Sequence, residues 1–321
     1  MDRLGPSGNR NHSGVRRLRA KVWAALLAVY LVWGSTYLMI RFVVETLPPF
    51  LSAGLRFVVS GVILLGWRCL AGEALPTLRQ WRSAAMVGAL LLLGGNGLVC
   101  WAEQTVPSGV AALIIGTVPL FLVIADALRP NGTRPTLPVL AGLAIGFLGI
   151  YLLVGPSAIS GGMPLNVPGV AALLLASLLW AIGSIYSKTA DLPKTALMTT
   201  GAEMLAGGFA LLVVSALSEE WGAFSFAQVS AGSWLALAYL IVFGSMIGFA
   251  SYAWLLQNAS IPLVATYAYV NPLVAVFLGN WFAQEPLTPR ILSASAIIIG
   301  SVIFMNSPYR GKPAAAQGAG K

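Results

Sequence analysis

Residues 21–41 read KVWAALLAVYLVWGSTYLMIR, an apolar run bounded by Lys21 and Arg41 with no charge between them. A helix rises about 1.5 Å per residue, so about 20 apolar residues cross the hydrocarbon core of a bilayer. The run predicts a membrane span over 22–41. Basic residues precede it (Arg16, Arg17, Arg19 and Lys21), as in a secretory leader, yet the apolar segment continues past Trp33 and Tyr37 without a short core ending in a small-residue cleavage site. It is read as a retained first span.

Outward from this run, nine more stretches have the same character: 48–70, 84–102, 106–127, 138–155, 168–187, 195–217, 233–256, 260–282 and 289–306. The expected fold class is an all-α polytopic membrane protein with ten transmembrane helices and short connections. Composition demands the same, since 58% of the 321 residues are hydrophobic and only 9% are charged, against about 25% charged in soluble proteins. Ten acidic and 19 basic side chains cannot coat a water-soluble globule of this length, so the apolar exterior must face a lipid bilayer. Glycine (35) and proline (19) fall partly inside the stretches, which membrane helices accept because neighbours satisfy the freed backbone groups. The first 15 residues and the AAAQGAGK end read as disordered tails.

Orientation follows from the distribution of Lys and Arg. Arg3, Arg10, Arg16, Arg17, Arg19, Lys21, Arg68, Arg79, Arg82, Arg129, Arg134, Lys188, Lys194, Arg310, Lys312 and Lys321 fall on the side of the N-terminus; Arg41 and Arg290 fall on the other, and Arg56 lies within a span. The positive-inside rule then places both termini in the cytoplasm. The same distribution explains the formal charge of +9 as topology signals beside anionic lipid, and no nucleic-acid partner is expected. Cys69 and Cys100 lie in apolar segments and the single histidine, His12, lies in a polar tail. That removes a disulfide framework, metal-ligand spacing and histidine-based catalysis, so neither a metal nor a cofactor is expected.

The chain repeats itself. A shift of 147 residues sets Trp33 on Trp180, Arg41 on Lys188, Gly54 on Gly201, Arg56 on Glu203 and Gly61 on Gly208; a shift of 153 sets Gly95 on Gly248, Trp101 on Trp254, Gln104 on Gln257 and Pro119 on Pro272. Two copies of a five-helix unit are implied, and because five is odd the second copy enters the membrane from the opposite side. The expected organisation is a basic cytoplasmic tail (1–21), a first repeat (22–155), a linker (156–167), a second repeat (168–306) and a cytoplasmic tail (307–321). Exchange of arrangement between inverted halves opens a midplane site to either side in turn, the architecture of a carrier.

The blocks WGSTYLMIRFVVETLPPFLSAGLRF (33–57), GGNG (94–97), AEQTVPSGVAALIIGTVPLF (102–121), GAEMLAGG (201–208) and TYAYVNPLVAV (266–276) resemble the EamA permeases of the drug/metabolite transporter superfamily, most closely the YedA-like branch. The resemblance extends over 22–306. It implies ten helices in two EamA repeats, export of amino acids, related metabolites or toxic compounds, and a central cavity lined by helices 3, 4, 8 and 9. One departure stands out: Glu285 precedes Pro286 at the start of the last helix, where family members often carry an acid in each repeat, but the first half has Arg134 before Pro135.

Charges inside a span require a reason, because an uncompensated one costs several kcal/mol. Arg56 and Glu203 occupy equivalent positions of the two repeats, and they read either as a substrate or proton site or as a structural ion pair locking the halves. Ser52, Arg56 and Ser60 share one helix face, as do Thr199, Glu203 and Gly207. Asn96, Cys100, Glu103 and Gln104 form a polar face of helix 3 expected to point at the cavity; Glu103 is an external proton or cation site, or a helix-end carboxylate in water. Asp126 reads as interfacial. Pro119 and Pro272 break helices 4 and 9 at matching points, each leaving a carbonyl without its donor, for a substrate or simply for a kink. Pro107 and Pro262 read as first-turn prolines. Trp101, Tyr252, Trp254, Tyr267, Tyr269 and Asn271 fall on helices 3, 8 and 9 and would form an aromatic wall with a few polar groups, or else packing; Trp23, Trp67, Trp81, Trp221 and Trp281 belong to the interfacial belt.

The functional expectation is a secondary carrier, an exporter of small metabolites such as amino acids or related amphipathic compounds; no GxxxxGK[ST] phosphate loop is present, so energy comes from an ion or solute gradient or from the substrate gradient alone, with protons a candidate through the carboxylates Glu103 and Glu203. An embedded enzyme lacks the histidine or acidic cluster it would need. A channel or scaffold is the other alternative, and oligomeric state is left open.

Overall fold

A computed structural model of the chain describes residues 9–129, 132, 134–154, 166–259, 261–264 and 266–306. In chain order the helices are α1 (Asn9–Val43), α2 (Pro49–Leu70), α3 (Leu78–Gly88), the π-helix π1 (Ala89–Gly97), α4 (Leu98–Ala102), α5 (Ser108–Ile115), α6 (Val118–Leu128) and α7 (Leu137–Val154). They continue with α8 (Val167–Ser187), α9 (Ala196–Leu217), α10 (Glu220–Ala223), α11 (Ala231–Tyr239), π2 (Leu240–Phe249), α12 (Ala250–Asn258), α13 (Ile261–Val264), α14 (Tyr267–Ala283) and α15 (Pro289–Asn306). No strand occurs among the described residues. Seven helical stretches are long and apolar enough to cross a membrane: Leu18–Val43, Pro49–Leu70, Leu78–Ala102, Ser108–Leu128, Val167–Ser187, Ala196–Leu217 and Ala231–Leu255; Leu137–Leu153 and Pro289–Phe304 are shorter apolar helices.

The first expectation to be corrected is the N-terminal tail. Residues 9–15 are the opening turns of α1 rather than irregular chain, while residues 1–8, most of the linker (155–165) and the tail from 307 lie outside the described residues. Helices 4 and 9, expected to break at Pro119 and Pro272, are interrupted at Gly116–Thr117 between α5 and α6, just before Pro119, and around Thr266 between α13 and α14, well before Pro272. Pro107 stands just before α5 as its N-cap, and Pro262 is the second residue of α13.

Local chemistry explains the starts. Thr77 and Gln80 form a reciprocal capping box, the Gln80 amide donating to Thr77 Oγ1 (3.3 Å) and the Thr77 amide to Gln80 Oε1 (3.0 Å). Asn166 Oδ1 accepts from the Gly169 amide at 2.8 Å to start α8. Two helices are capped from afar: Glu220 accepts from the Phe50 and Leu51 amides (3.2 and 2.8 Å) at the head of α2, and Glu285 accepts from the Ser108 and Gly109 amides (2.6 and 2.9 Å) at the head of α5. A carboxylate at a helix N-terminus meets both free N–H groups and the positive end of the macrodipole.

The most extensive helix contact joins α2 to α9, through the glycines that the 147-residue shift superposed. A Cβ on Gly61 would stand 2.7 Å from the Leu205 amide nitrogen and 3.0 Å from the Gly201 carbonyl oxygen; one on Gly208 would stand 2.7 Å from the Val58 nitrogen. Backbones meet because no side chain intervenes, which is how membrane helices gain dispersion contact in a solvent as apolar as themselves. The outer surface carries Leu27, Leu31, Val62, Ile63, Phe209, Val213 and Phe277, all exposed, an apolar coat that only lipid can solvate. Trp23, Trp67, Trp221 and Trp281 are more than half exposed near helix ends, as the belt reading expects, whereas Trp81 is partly buried against Leu65 and Met198.

Candidate functional site

The site begins on α1. Trp33, Thr36, Tyr37 and Ile40 follow helical spacing and turn one face inward, and all four line a cavity with about 760 Å³ of free space, counting its open mouth. Trp33 anchors the wall. Its indole nitrogen donates to the Gly244 carbonyl of π2 (3.2 Å), and its ring meets Phe249 (5.1 Å between centroids), Tyr267 (5.5 Å) and Trp180 (6.4 Å) edge-on, with Tyr252 tilted at 5.0 Å.

Both π-helices contribute. π1 supplies Gly95 and Asn96, and π2 ends in Phe249. A π-helix widens the turn, a device common at functional sites. Side chains add donors to two carbonyls of the π segments: Asn96 Nδ2 donates to that of Leu91 at 3.3 Å, and the Trp33 indole to that of Gly244. Under the 153-residue shift, residues 89–97 fall on 242–250, so the two π segments stand at matching positions.

Opposite, α14 brings Tyr267, Ala268, Asn271 and Pro272. Asn271, oriented by its hydrogen-bond network, donates to the carbonyls of Tyr30 (3.3 Å) and Tyr267 (3.2 Å). Pro272 lies inside α14, as expected, and packs on the break after α5, where a Cβ on Gly116 would stand 3.0 Å from its ring. Pro119 behaves differently from its counterpart: it sits in the first turn of α6, where a missing amide costs nothing, and it does not line the cavity.

Arg56 is the one charged residue among those lining the cavity. It is 3% exposed; its Nε donates to Ser245 Oγ at 2.8 Å and its guanidinium carbon lies 4.7 Å from the Phe57 ring centre. The structural-pair reading needs correction, because no ion pair joins Arg56 to Glu203: the described pairs are Arg68–Glu73, Arg79–Asp191 and Arg129–Asp126. Glu203 sits on α9 where Gly88 of α3 abuts its carbonyl, away from the cavity.

Glu103 also departs from the aqueous helix-end reading. It is wholly buried, and neither carboxyl oxygen has a hydrogen-bond partner among the described residues, while Arg41 Nη1 is spent on the Glu103 backbone carbonyl at 3.1 Å. It lies outside the cavity lining, one turn beyond Val99, which is part of it. Of the expected polar face, Asn96 lines the cavity, Cys100 is buried and Gln104 is exposed.

Arg56, Asn96, Tyr267, Asn271 and Pro272 are therefore brought together, whereas Trp101, Tyr252 and Trp254 are not. Trp101 is 38% exposed; Tyr252 and Trp254 pack behind Trp33 against Leu26 and Leu255. Four aromatic lining residues were missing from the expectation: Trp33, Tyr37, Trp180 and Phe249. The repeat did carry a signal for two of them, since Trp33 and Trp180 are shift-related and meet across the wall.

An all-helical apolar body around a polar-and-aromatic cavity is what a membrane transporter presents. The model of the EamA-like transporter family matches the chain twice, over residues 20–155 and 167–307. The chain belongs to that family. It is 41% identical over 285 residues to the uncharacterized inner membrane transporter YedA of Escherichia coli (strain K12), covering 88% of this chain and 90% of that one. Identity is 26% over 310 residues to the uncharacterized transporter YvbV of Bacillus subtilis (93% and 96% of the two chains), and 29% over 279 residues to protein PecM of Dickeya dadantii (85% and 88%). A crystal structure of a protein 21% identical in sequence superposes with a TM-score of 0.64 over 91% of this chain and 98% of that chain, which shows a shared fold.

Proposed function

We propose that the protein is a secondary carrier of the inner membrane that exports small amphipathic metabolites, amino acids or related compounds, by alternating access. The working parts are two inverted five-helix repeats, 22–155 and 168–306, joined by 156–167, with both termini cytoplasmic. One observation carries the reading: the cavity wall is drawn from both halves, with Trp33, Arg56 and Asn96 from the first and Trp180, Phe249 and Asn271 from the second. A rocking of one half against the other would necessarily remodel such a wall. The matching π segments and the glycine contact between α2 and α9 support the same symmetry.

Protons are the proposed coupling ion and Glu103 the residue that carries them, since a carboxyl buried without partners is stable only when neutral. In proteoliposomes, an imposed pH gradient accelerates transport by the wild type and leaves Glu103→Gln unchanged; indifference of the wild type to the gradient ends the proton reading. Export itself is tested by comparing extracellular metabolites of cells expressing wild type, Glu203→Gln or an empty vector, at matched membrane levels, by mass spectrometry. A solute class that accumulates with both proteins supports a carrier in which Glu203 is structural, and no change in the medium refutes export.

A further inference from the structure

We propose that the cavity selects small organic anions, carboxylates with an aromatic or branched apolar body, over zwitterions and cations. The proposal rests on the carrier reading above and narrows its substrate class, keeping the anionic relatives named there and setting aside the zwitterionic amino acids. A guanidinium carries five N–H donors in a planar fork that matches a carboxylate. Arg56 uses its Nε on Ser245, a neutral hydroxyl, and faces the Phe57 ring; no described carboxylate lies within ion-pair distance, and no described hydrogen bond engages its two terminal nitrogens. Protein interiors do not hold a full charge this way without a counter-charge. The residue is nonetheless 97% hidden from solvent and forms part of the cavity wall.

The surroundings keep that fork open. A Cβ on Gly244 would stand 3.0 Å from Arg56 Nη2, so glycine at that position leaves the terminal nitrogen uncrowded. The complementary partner is missing for a positive ligand. No acidic residue lines the cavity; Glu103, Asp126 and Glu203, on neighbouring parts of the bundle, lie outside it. An ammonium group would find neutral acceptors and ring faces but no counter-charge, all within the field of Arg56, so an amine is disfavoured and a zwitterion gains a charge partner at one end only. The rings of Trp33, Trp180, Phe249 and Tyr267 give the apolar body its place.

Three probes share one body: 3-phenylpropanoate, phenylalanine and 3-phenylpropylamine. With the full-length protein in detergent, the anion raises the thermal unfolding temperature, phenylalanine raises it less, the amine leaves it unchanged, and the methyl ester of the anion loses the effect without any change to the protein. Arg56→Gln weakens anion binding by about 10- to 100-fold, the worth of a charged hydrogen-bonded contact, and Arg56→Lys retains part of it. Equal stabilisation by the amine, the zwitterion or the ester, an unchanged response in Arg56→Gln, or no response to the anion overturns the proposal. Proteoliposome flux separates it from the carrier reading: movement of the amine or the zwitterion alone keeps the carrier and discards the anion class, while Arg56-dependent anion binding with no flux of any probe keeps the class and discards the carrier.

Discussion

Gly61→Ala tests whether the α2–α9 contact depends on the absence of a side chain. The added methyl would stand 2.7 Å from the Leu205 nitrogen and 3.0 Å from both the Gly201 oxygen and the Leu205 Cα. Those are backbone atoms of a helix and cannot rotate away, so α9 has to retreat by about 0.7 Å to reach the 3.4 Å at which ordinary contact begins. Overpacking of this kind costs about 1–3 kcal/mol. Alanine also gains about 1 kcal/mol over glycine in helix propensity, which would blur the result if the variant were compared with wild type alone. Gly66 supplies the control, being in the same helix with nothing within 4 Å of its virtual Cβ. Propensity cancels between Gly61→Ala and Gly66→Ala, leaving the contact term. Thermal unfolding of the purified proteins should place Gly61→Ala several degrees below Gly66→Ala, and because α2 carries Arg56, transport should fall with it. A Gly61→Ala protein that melts at or above Gly66→Ala refutes the close contact.

Other parts of the structure make equally definite demands. Glu285→Ala removes both acceptors at the head of α5 and should destabilise the protein by about 2 kcal/mol, with Glu285→Gln recovering part, measured by unfolding. Arg68 and Thr195 hold the Glu73 carboxyl below the usual carboxylate range through hydrogen bonds; a depressed pKa stabilises the fold above the unfolded value near about 4.3 and loses that effect as pH falls through the folded value. Unfolding temperatures measured down the acid limb should therefore drop less steeply in Glu73→Gln than in wild type. Trp33→Phe keeps a ring but removes the indole donor to the Gly244 carbonyl, so a loss of about 1 kcal/mol is expected on unfolding, and an unchanged stability would show that this bond contributes nothing.

The helical elements were legible because hydropathy alone separates lipid-facing chain from everything else. The expected stretches 48–70, 168–187 and 195–217 agree with α2, α8 and α9 to within a residue at each end. What hydropathy does not register is hydrogen bonding inside a helix, so π1 and π2 went unseen; the prolines pointed to breaks in helices 4 and 9, but not to their places after Ile115 and before Tyr267. Long-range capping was equally hidden: Glu285 was recognised as a family position at the membrane edge, but that its carboxylate serves Ser108 and Gly109 is a fact of three-dimensional proximity. The same difference in kind explains the pair that did not form. Repeat-equivalence placed Arg56 and Glu203 at corresponding points of two helices, and correspondence under a symmetry is not contact.

By itself the sequence determined that the chain lives in a bilayer, that its halves are copies, and that an arginine stands inside an apolar span, because charge, hydropathy and repeat spacing are one-dimensional quantities. Only the tertiary structure decided which side chains share a cavity. Trp33 of α1, Arg56 of α2, Trp180 of α8, Phe249 of π2 and Asn271 of α14 line one wall although more than 200 residues separate the first from the last. Glu103, one turn beyond Val99, is buried outside that wall, and where a cavity ends along a helix is set by how the helices pack against their neighbours.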